Sequence, residues 1–115
     1  MHVANPVEVP RNIFMYTLHP TRLAMLTAGA TDAEKALAAQ HWVYSQDLLA
    51  KGIVIFGGRT LVTTEDSFAS VVIRADSEAE ARAIMEGDPA VQGGLFRARL
   101  FPYQPMLMGE WPGDR

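Results

Sequence analysis

Of the three histidines in this chain, one falls where its ring must point inward. In the run LAAQHWVYSQDLLAKG, residues 37–52, Leu37, His41, Tyr44 and Leu48 recur at helical spacing. At about 100° per residue they share one narrow sector of the helix. An imidazole titrates near neutrality, so a histidine on that stripe can take a proton from a bound molecule and return it. Its second ring nitrogen then needs a partner. Asp88 is the natural one, because it follows the helix that should pack beside the first. A carboxylate there would fix the tautomer and stabilise the imidazolium, the orienting role carboxylates take in catalytic triads. A plainer reading uses the same residues, with His41 a satisfied core histidine and Asp88 only a helix cap. Spacing alone does not separate the two.

Other groups fall near this pair in the pattern. Gly57-Gly58 followed by Arg59 and Thr60 would let a ligand approach bare backbone while a guanidinium grips a carboxylate through two donors. An arginine at a strand end facing water explains Arg59 as well. Ser45, one turn past His41, and the phenols of Tyr44 and Tyr16 could add polar contacts, or simply pack. Ser45 lacks a nucleophile motif. His2, His19 and His41 have no ligand spacing, and the chain has no cysteine, so no metal site is expected. GIVIFGGRT has neither GxGxxG nor a GK[ST] ending and does not read as a nucleotide loop.

The elements that must position these residues follow from periodicity and punctuation. Residues 1–12 read as an arm and 13–18, IFMYTL, as a strand apolar on both faces. HPTRLAMLTAGA is a long connection. Thr31-Asp32-Ala33-Glu34 fits a capping box that opens the first helix, and Gly52 closes it. Residues 53–56 make a second strand, with a bulge or a close approach expected at Gly57-Gly58. After the polar turn at 63–66, residues 68–73 return antiparallel. Ser77-Glu78-Ala79-Glu80 is a second capping box, Gly87 ends that helix, and Asp88-Pro89 starts a short turn. Residues 95–103 form the last strand. The order βαββαβ predicts an α+β, ferredoxin-like sandwich with both helices on one face of the sheet. The first three strands are apolar on both sides, so the bare face should pack on the same face of a second copy in a two-fold homodimer. Trp42 and Val43 point away from the His41 stripe, toward the tail, the arm or a partner. The tail, 104–115, carries Met106, Leu107, Met108 and Trp111 and could cover part of that surface.

Composition excludes several classes. With 115 residues the chain is one domain. A net charge of -3 and no basic stripe argue against nucleic acid as a partner. No apolar run approaches a membrane span, and the first residues lack the basic and apolar regions of a signal peptide. A cysteine-free chain of this kind is expected in the cytoplasm.

The run HWVYSQDLLAKGIVIFGGRTL, with SEAEARAIMEGDPAVQGGL and the closing ARLFPY, resembles the YciI-like family of YCII-related domains, over residues 13–103. The resemblance implies a dimeric α+β barrel built on the ferredoxin-like unit, and a His and Asp pair that matches His41 and Asp88. Among related proteins one removes hydrogen chloride from a chlorinated muconate, and muconolactone isomerases share the barrel. Where many members read Gly-Pro after the second strand, this chain has Gly58-Arg59. Nothing in the resemblance calls for a metal or an organic cofactor. The function expected is a cofactor-independent lyase or isomerase that moves a proton on a small anionic organic molecule, with Gly57, Gly58, Arg59, Ser45 and Tyr44 on the substrate. The alternative is a binding or interaction module that uses the same pocket without chemistry.

Overall fold

The computed structural model describes residues 12–113. Apart from Asn12 the expected arm lies outside them, as do the last two residues of the tail. Eight elements follow in order: β1 (Ile13–Pro20), α1 (Ala24–Thr27), α2 (Asp32–Ala50), β2 (Val54–Arg59), β3 (Ala69–Arg74), α3 (Glu78–Glu86), α4 (Pro89–Gln92) and β4 (Phe96–Pro102). The strands form one antiparallel sheet in the order β2-β3-β1-β4. β1 and β2 run parallel with β3 between them, the split βαβ arrangement of a ferredoxin-like sandwich. The expected α+β fold is therefore the observed one.

Alternation along β1 sorts the sheet into two faces. Phe14, Tyr16 and Leu18 join Val71, Ile73, Ala75, Ala81 and Met85 in the core beneath the helices. Ile13, Met15, Thr17 and His19 point to the other face, where no helix lies.

Local sequence explains most boundaries. Thr31 caps α2 and makes the complete box, its hydroxyl accepting from the Glu34 N–H while the Glu34 carboxylate accepts from the Thr31 N–H at 2.8 Å. Gly52 takes φ +76°, the left-handed conformation that ends the helix. The second box is only half made. Ser77 accepts from the Glu80 N–H, but the Glu80 carboxylate reaches past it to the Asp76 N–H.

Four other expectations are adjusted. The long first connection contains the single turn α1, and β1 runs two residues further, to Pro20, because β4 continues to pair with it. β2 runs on to Arg59 because Gly57 and Gly58 still pair with Val71 and Ser70; the irregularity lies earlier, between Val54 and Phe56. As the edge strand, β2 is far more exposed than a strand apolar on both faces needs to be. Finally, of the 19 residues of α2 only Leu48 is buried. Trp42, Val43 and Leu49 are all more than half exposed.

Candidate functional site

α2 carries His41 over the start of β4, where its ring meets Phe96 edge-on at 5.8 Å. α4 supplies the partner. Asp88 is the N-cap of that four-residue helix, with Pro89 at its first position, an arrangement favoured because proline lacks the N–H that a first turn leaves unpaired. One Asp88 oxygen, Oδ1, accepts from the Ala90 N–H at 2.9 Å. The other, Oδ2, lies 2.7 Å from His41 Nδ1. Asp88 is wholly buried, whereas the His41 side chain keeps 21 % of its exposure.

This geometry sets the proton. An ionised carboxylate only accepts hydrogen bonds, so Nδ1 must donate to it and the neutral ring keeps its lone pair on Nε2. Nε2 has no partner among the described residues. With Nδ1 held against a buried carboxyl group that also accepts from a backbone N–H, the unpaired Nε2 can accept a proton from an incoming molecule without the ring moving.

Two close approaches bring α2 onto this corner. A Cβ on Gly87 would stand 2.9 Å from the Tyr44 Oη and 3.1 Å from the Ala83 carbonyl oxygen. Glycine is needed here for space, since its φ of -77° is open to any residue. The Tyr44 hydroxyl donates to the Ile84 carbonyl at 2.7 Å, so Tyr44 ties α2 to α3 directly before the Asp88 turn. Burial, reinforced by the Asp88 and Asp47 charges, raises its pKa.

The remaining candidates divide. Ser45 lies one turn beyond His41, and its Oγ is buried without a protein partner among the described residues. The Tyr16 hydroxyl, on the central strand, is likewise buried and unpartnered. Burial drives its pKa well above the ordinary phenol range, and the Asp88 and Tyr44 charges add to the rise. Buried hydroxyls of this kind are costly unless something polar meets them. Gly57, Gly58 and Arg59 lie on the edge strand β2, with β3 and β1 between them and β4. Arg59 makes no ion pair among the described residues. No group of three His, Cys, Asp or Glu could hold a metal ion among the described residues.

Phe96 is the residue that sequence reasoning missed. It opens the last strand of an ordinary alternating pattern, and only the β1–β4 register, which sets it opposite Pro20, brings it to the imidazole. A cleft of about 560 Å³ lies on the outer side of the α2–α4 contact, lined by Ala39, Gln40, Val43, Tyr44, Asp47 and Pro89. It shares Tyr44 with the histidine corner, but neither His41 nor Asp88 forms its wall, so the paired groups rather than the cleft mark the site.

A family model for the YCII-related domain matches residues 14–102. No curated protein matches the sequence. Among solved structures, 5-chloro-2-hydroxyhydroquinone dehydrochlorinase from Burkholderia phenoliruptrix AC1100, in complex with 2,5-dihydroxybenzoquinone, is similar at a TM-score of 0.56 and 21 % identity. The match covers 78 % of this chain and 92 % of that one. The ligand-free regulatory subunit of aspartate kinase from Thermus thermophilus follows at 0.48 and 18 %, over 89 % of this chain and 56 % of that one. A dimeric ferredoxin-like protein from an uncultured marine organism scores 0.37 at 17 %, over 86 % of this chain and 96 % of that one.

Proposed function

The chain belongs to the YCII-related domain family, and from that premise we propose that it is a cofactor-independent lyase or isomerase acting on a small, anionic organic molecule. One observation carries the proposal. His41 holds its Nδ1 proton against a fully buried carboxylate at 2.7 Å and leaves Nε2 unpaired. In an elimination, Nε2 takes the proton from a C–H or O–H of the substrate, a carbon–carbon or carbonyl double bond forms, and the carbon–halogen bond breaks to release halide. The imidazolium then returns its proton to water. In an isomerisation the same proton returns to a different carbon. Asp88 stays ionised and steadies the charged ring. Tyr16 and Ser45, whose buried hydroxyls have no partner among the described residues, are the proposed donors to the oxygen on which negative charge develops.

The dehydrochlorinase likeness, at 21 % identity, guides the choice of probe: a chlorinated hydroxyhydroquinone, with a chlorinated muconate and a lactone beside it. No helix among the described residues is long and apolar enough to cross a membrane, and the ligand proposed is a small molecule. The test is chloride release or lactone turnover by wild type and by His41→Gln. Proton transfer predicts that turnover falls about 100-fold or more while the fold and ligand binding persist. Turnover that survives the substitution would overturn the general-base role. Binding without turnover in wild type across the panel would favour the binding module.

A further inference from the structure

α2 is a long helix with little to hold it in place. Of its 19 residues only Leu48 is buried, so the core grips the helix at one point near its end. Apolar packing is non-directional, and a helix held by it alone can slide and turn. Three contacts, about one per turn, hold α2 instead against the end of α3 and against α4. Leu37 presses on Gly93, where a Cβ would collide with both of its methyls. His41 meets Asp88. Tyr44 Oη donates to the Ile84 carbonyl at 2.7 Å and lies against Gly87. The first contact is apolar and tolerates sliding, and the second is the pair whose geometry has to be set. Of the three, only the Tyr44 bond is both directional and outside the pair.

The Ile84 carbonyl bears directly on Asp88. α3 runs from Glu78 to Glu86, and in an unbroken helix that carbonyl would accept from the N–H four residues on, that of Asp88. It does not. The Asp88 N–H goes to the Met85 carbonyl at 3.3 Å, and the Tyr44 hydroxyl takes its place at Ile84. Asp88 leaves the helical conformation, at φ -66° and ψ 124°, and caps α4. In that conformation one carboxylate oxygen reaches the Ala90 N–H and the other reaches His41. His41 and Tyr44 are three residues apart on α2, and Ile84 and Asp88 are four apart across the turn, so the two bonds span one gap a helical turn apart. One bond leaves a pivot; two fix the rotation. Burial first, then the Asp88 and Asp47 charges, raise the Tyr44 pKa, so the phenol keeps the proton it donates.

We propose that Tyr44 is the positioning residue of the His41–Asp88 pair. Its hydroxyl replaces the Asp88 N–H at the Ile84 carbonyl, ends α3 where Asp88 must turn, and locks α2 at the height at which Nδ1 meets the carboxylate. Tyr44 acts through those two side chains, and the substrate contact expected of it from sequence gives way to this role.

NMR of the full chain with 15N-labelled histidine reads the tautomer of the neutral His41 ring, and His41→Gln identifies its signals. Wild type should carry the proton on Nδ1. In Tyr44→Phe, shown to be folded by circular dichroism, a population with the proton on Nε2 should appear. On a chlorinated hydroxyhydroquinone the same variant should lose about tenfold in kcat with KM little changed, the mark of a misplaced group rather than of weakened binding. Leu48→Ala, seven residues further along α2 than His41 and roughly 10 Å away, is the stability control. It should lower the melting temperature at least as far and leave the proton on Nδ1. Should Tyr44→Phe fail to fold, Gly87→Ala, which crowds the same hydroxyl, reads the same contact. A folded variant at this contact that keeps the wild-type tautomer overturns the proposal. So does an equal shift in Leu48→Ala, which would make Tyr44 a general support of the helix. Only the kinetic comparison rests on the proposed lyase or isomerase activity: a wild type that does not turn over the probe counts against that activity, and the tautomers still decide the role of Tyr44.

Discussion

Two carboxylates in this molecule are wired alike and placed differently. Glu34 lies in the first turn of α2 and Asp88 caps α4; each accepts from a backbone N–H at that helix start, and each holds a basic side chain as well. Glu34 accepts from Arg22 through both oxygens, 2.9 Å from Nε to Oε2, while Asp88 holds His41. The first lies at the surface, where Arg22 is 44 % exposed; the second is wholly buried. Arg22 never gives up its proton at physiological pH, so the Glu34 pair can only tie the first connection to α2. Histidine does give up its proton, so the same wiring becomes a device that moves one. Burial and the choice of base, rather than the hydrogen-bond pattern, separate a latch from a candidate catalyst.

Parallel substitutions sharpen that contrast. Asp88→Asn leaves one acceptor where two donors, Ala90 N–H and His41 Nδ1–H, converge. We expect proton-transfer turnover to fall about 100-fold, because an Asn NH2 facing Nδ1 puts the ring proton on Nε2, and stability to fall by about 1–3 kcal/mol, since charge-assisted hydrogen bonds are lost. Chloride release and urea unfolding read the two effects, and an unchanged turnover would break the comparison. Gly87→Ala comes next. Its methyl would press on the Tyr44 hydroxyl and the Ala83 carbonyl, and about 1–3 kcal/mol should be lost as overpacking forces α2 from α3. Full stability by thermal melting would show that this corner yields more readily than its distances imply.

Tyr16 gives a pH signature confined to the buried region. Its pKa is raised by burial first, then by the Asp88 and Tyr44 charges. The unfolded chain ionises at the ordinary phenol value and the native chain resists, so this stability is fully present below that value and is lost as pH rises toward the higher native one. Tyrosinate absorbance should therefore appear late for two of the three tyrosines, Tyr44 and, latest, Tyr16; the Tyr16 component should coincide with unfolding, and Tyr16→Phe should remove it.

The smallest effect belongs to the surface latch. Glu34→Gln keeps a side chain suited to the capping box, and water replaces what is lost at Arg22, so the melting temperature should shift far less than in Asp88→Asn. The Glu34 pKa is held down to about 2, first by the Arg22 hydrogen bond and then by the Thr31 N–H. Its contribution is present above the ordinary carboxylate range and disappears as pH falls toward 2. Side-chain NMR titration should show that midpoint, and Arg22→Ala should move it upward.

Much of this was legible in the sequence where a local rule decides. Glycines and capping residues mark the helices, alternation marks β1 and β4, and helical spacing turns His41 inward. The Asp88-Pro89 pattern predicts a cap, and the cap is formed. What local rules miss is long-range register. Phe96 reaches His41 only because β4 pairs with β1, and Gly57-Gly58-Arg59 lies across the sheet only because β2 docks outside β3. Nor does a regular stripe guarantee burial: α2 has one at Leu37, His41, Tyr44 and Leu48, yet most of the helix faces outward. Ser77 shows the same limit at short range, since Glu80 had a competing donor one residue upstream.

The four-residue length of α4 has a kinetic consequence. A helix so short has no stability of its own, and it persists because Asp88 caps it while Pro89 presets its first turn. The cap and the partner of His41 are one side chain, so α4 cannot fray without withdrawing the acceptor from the imidazole. Any opening of that turn, by heat, mutation or an arriving ligand, will release the Nδ1 proton to exchange with solvent. The lifetime of that single proton is thus a clock for the local breathing of the fold.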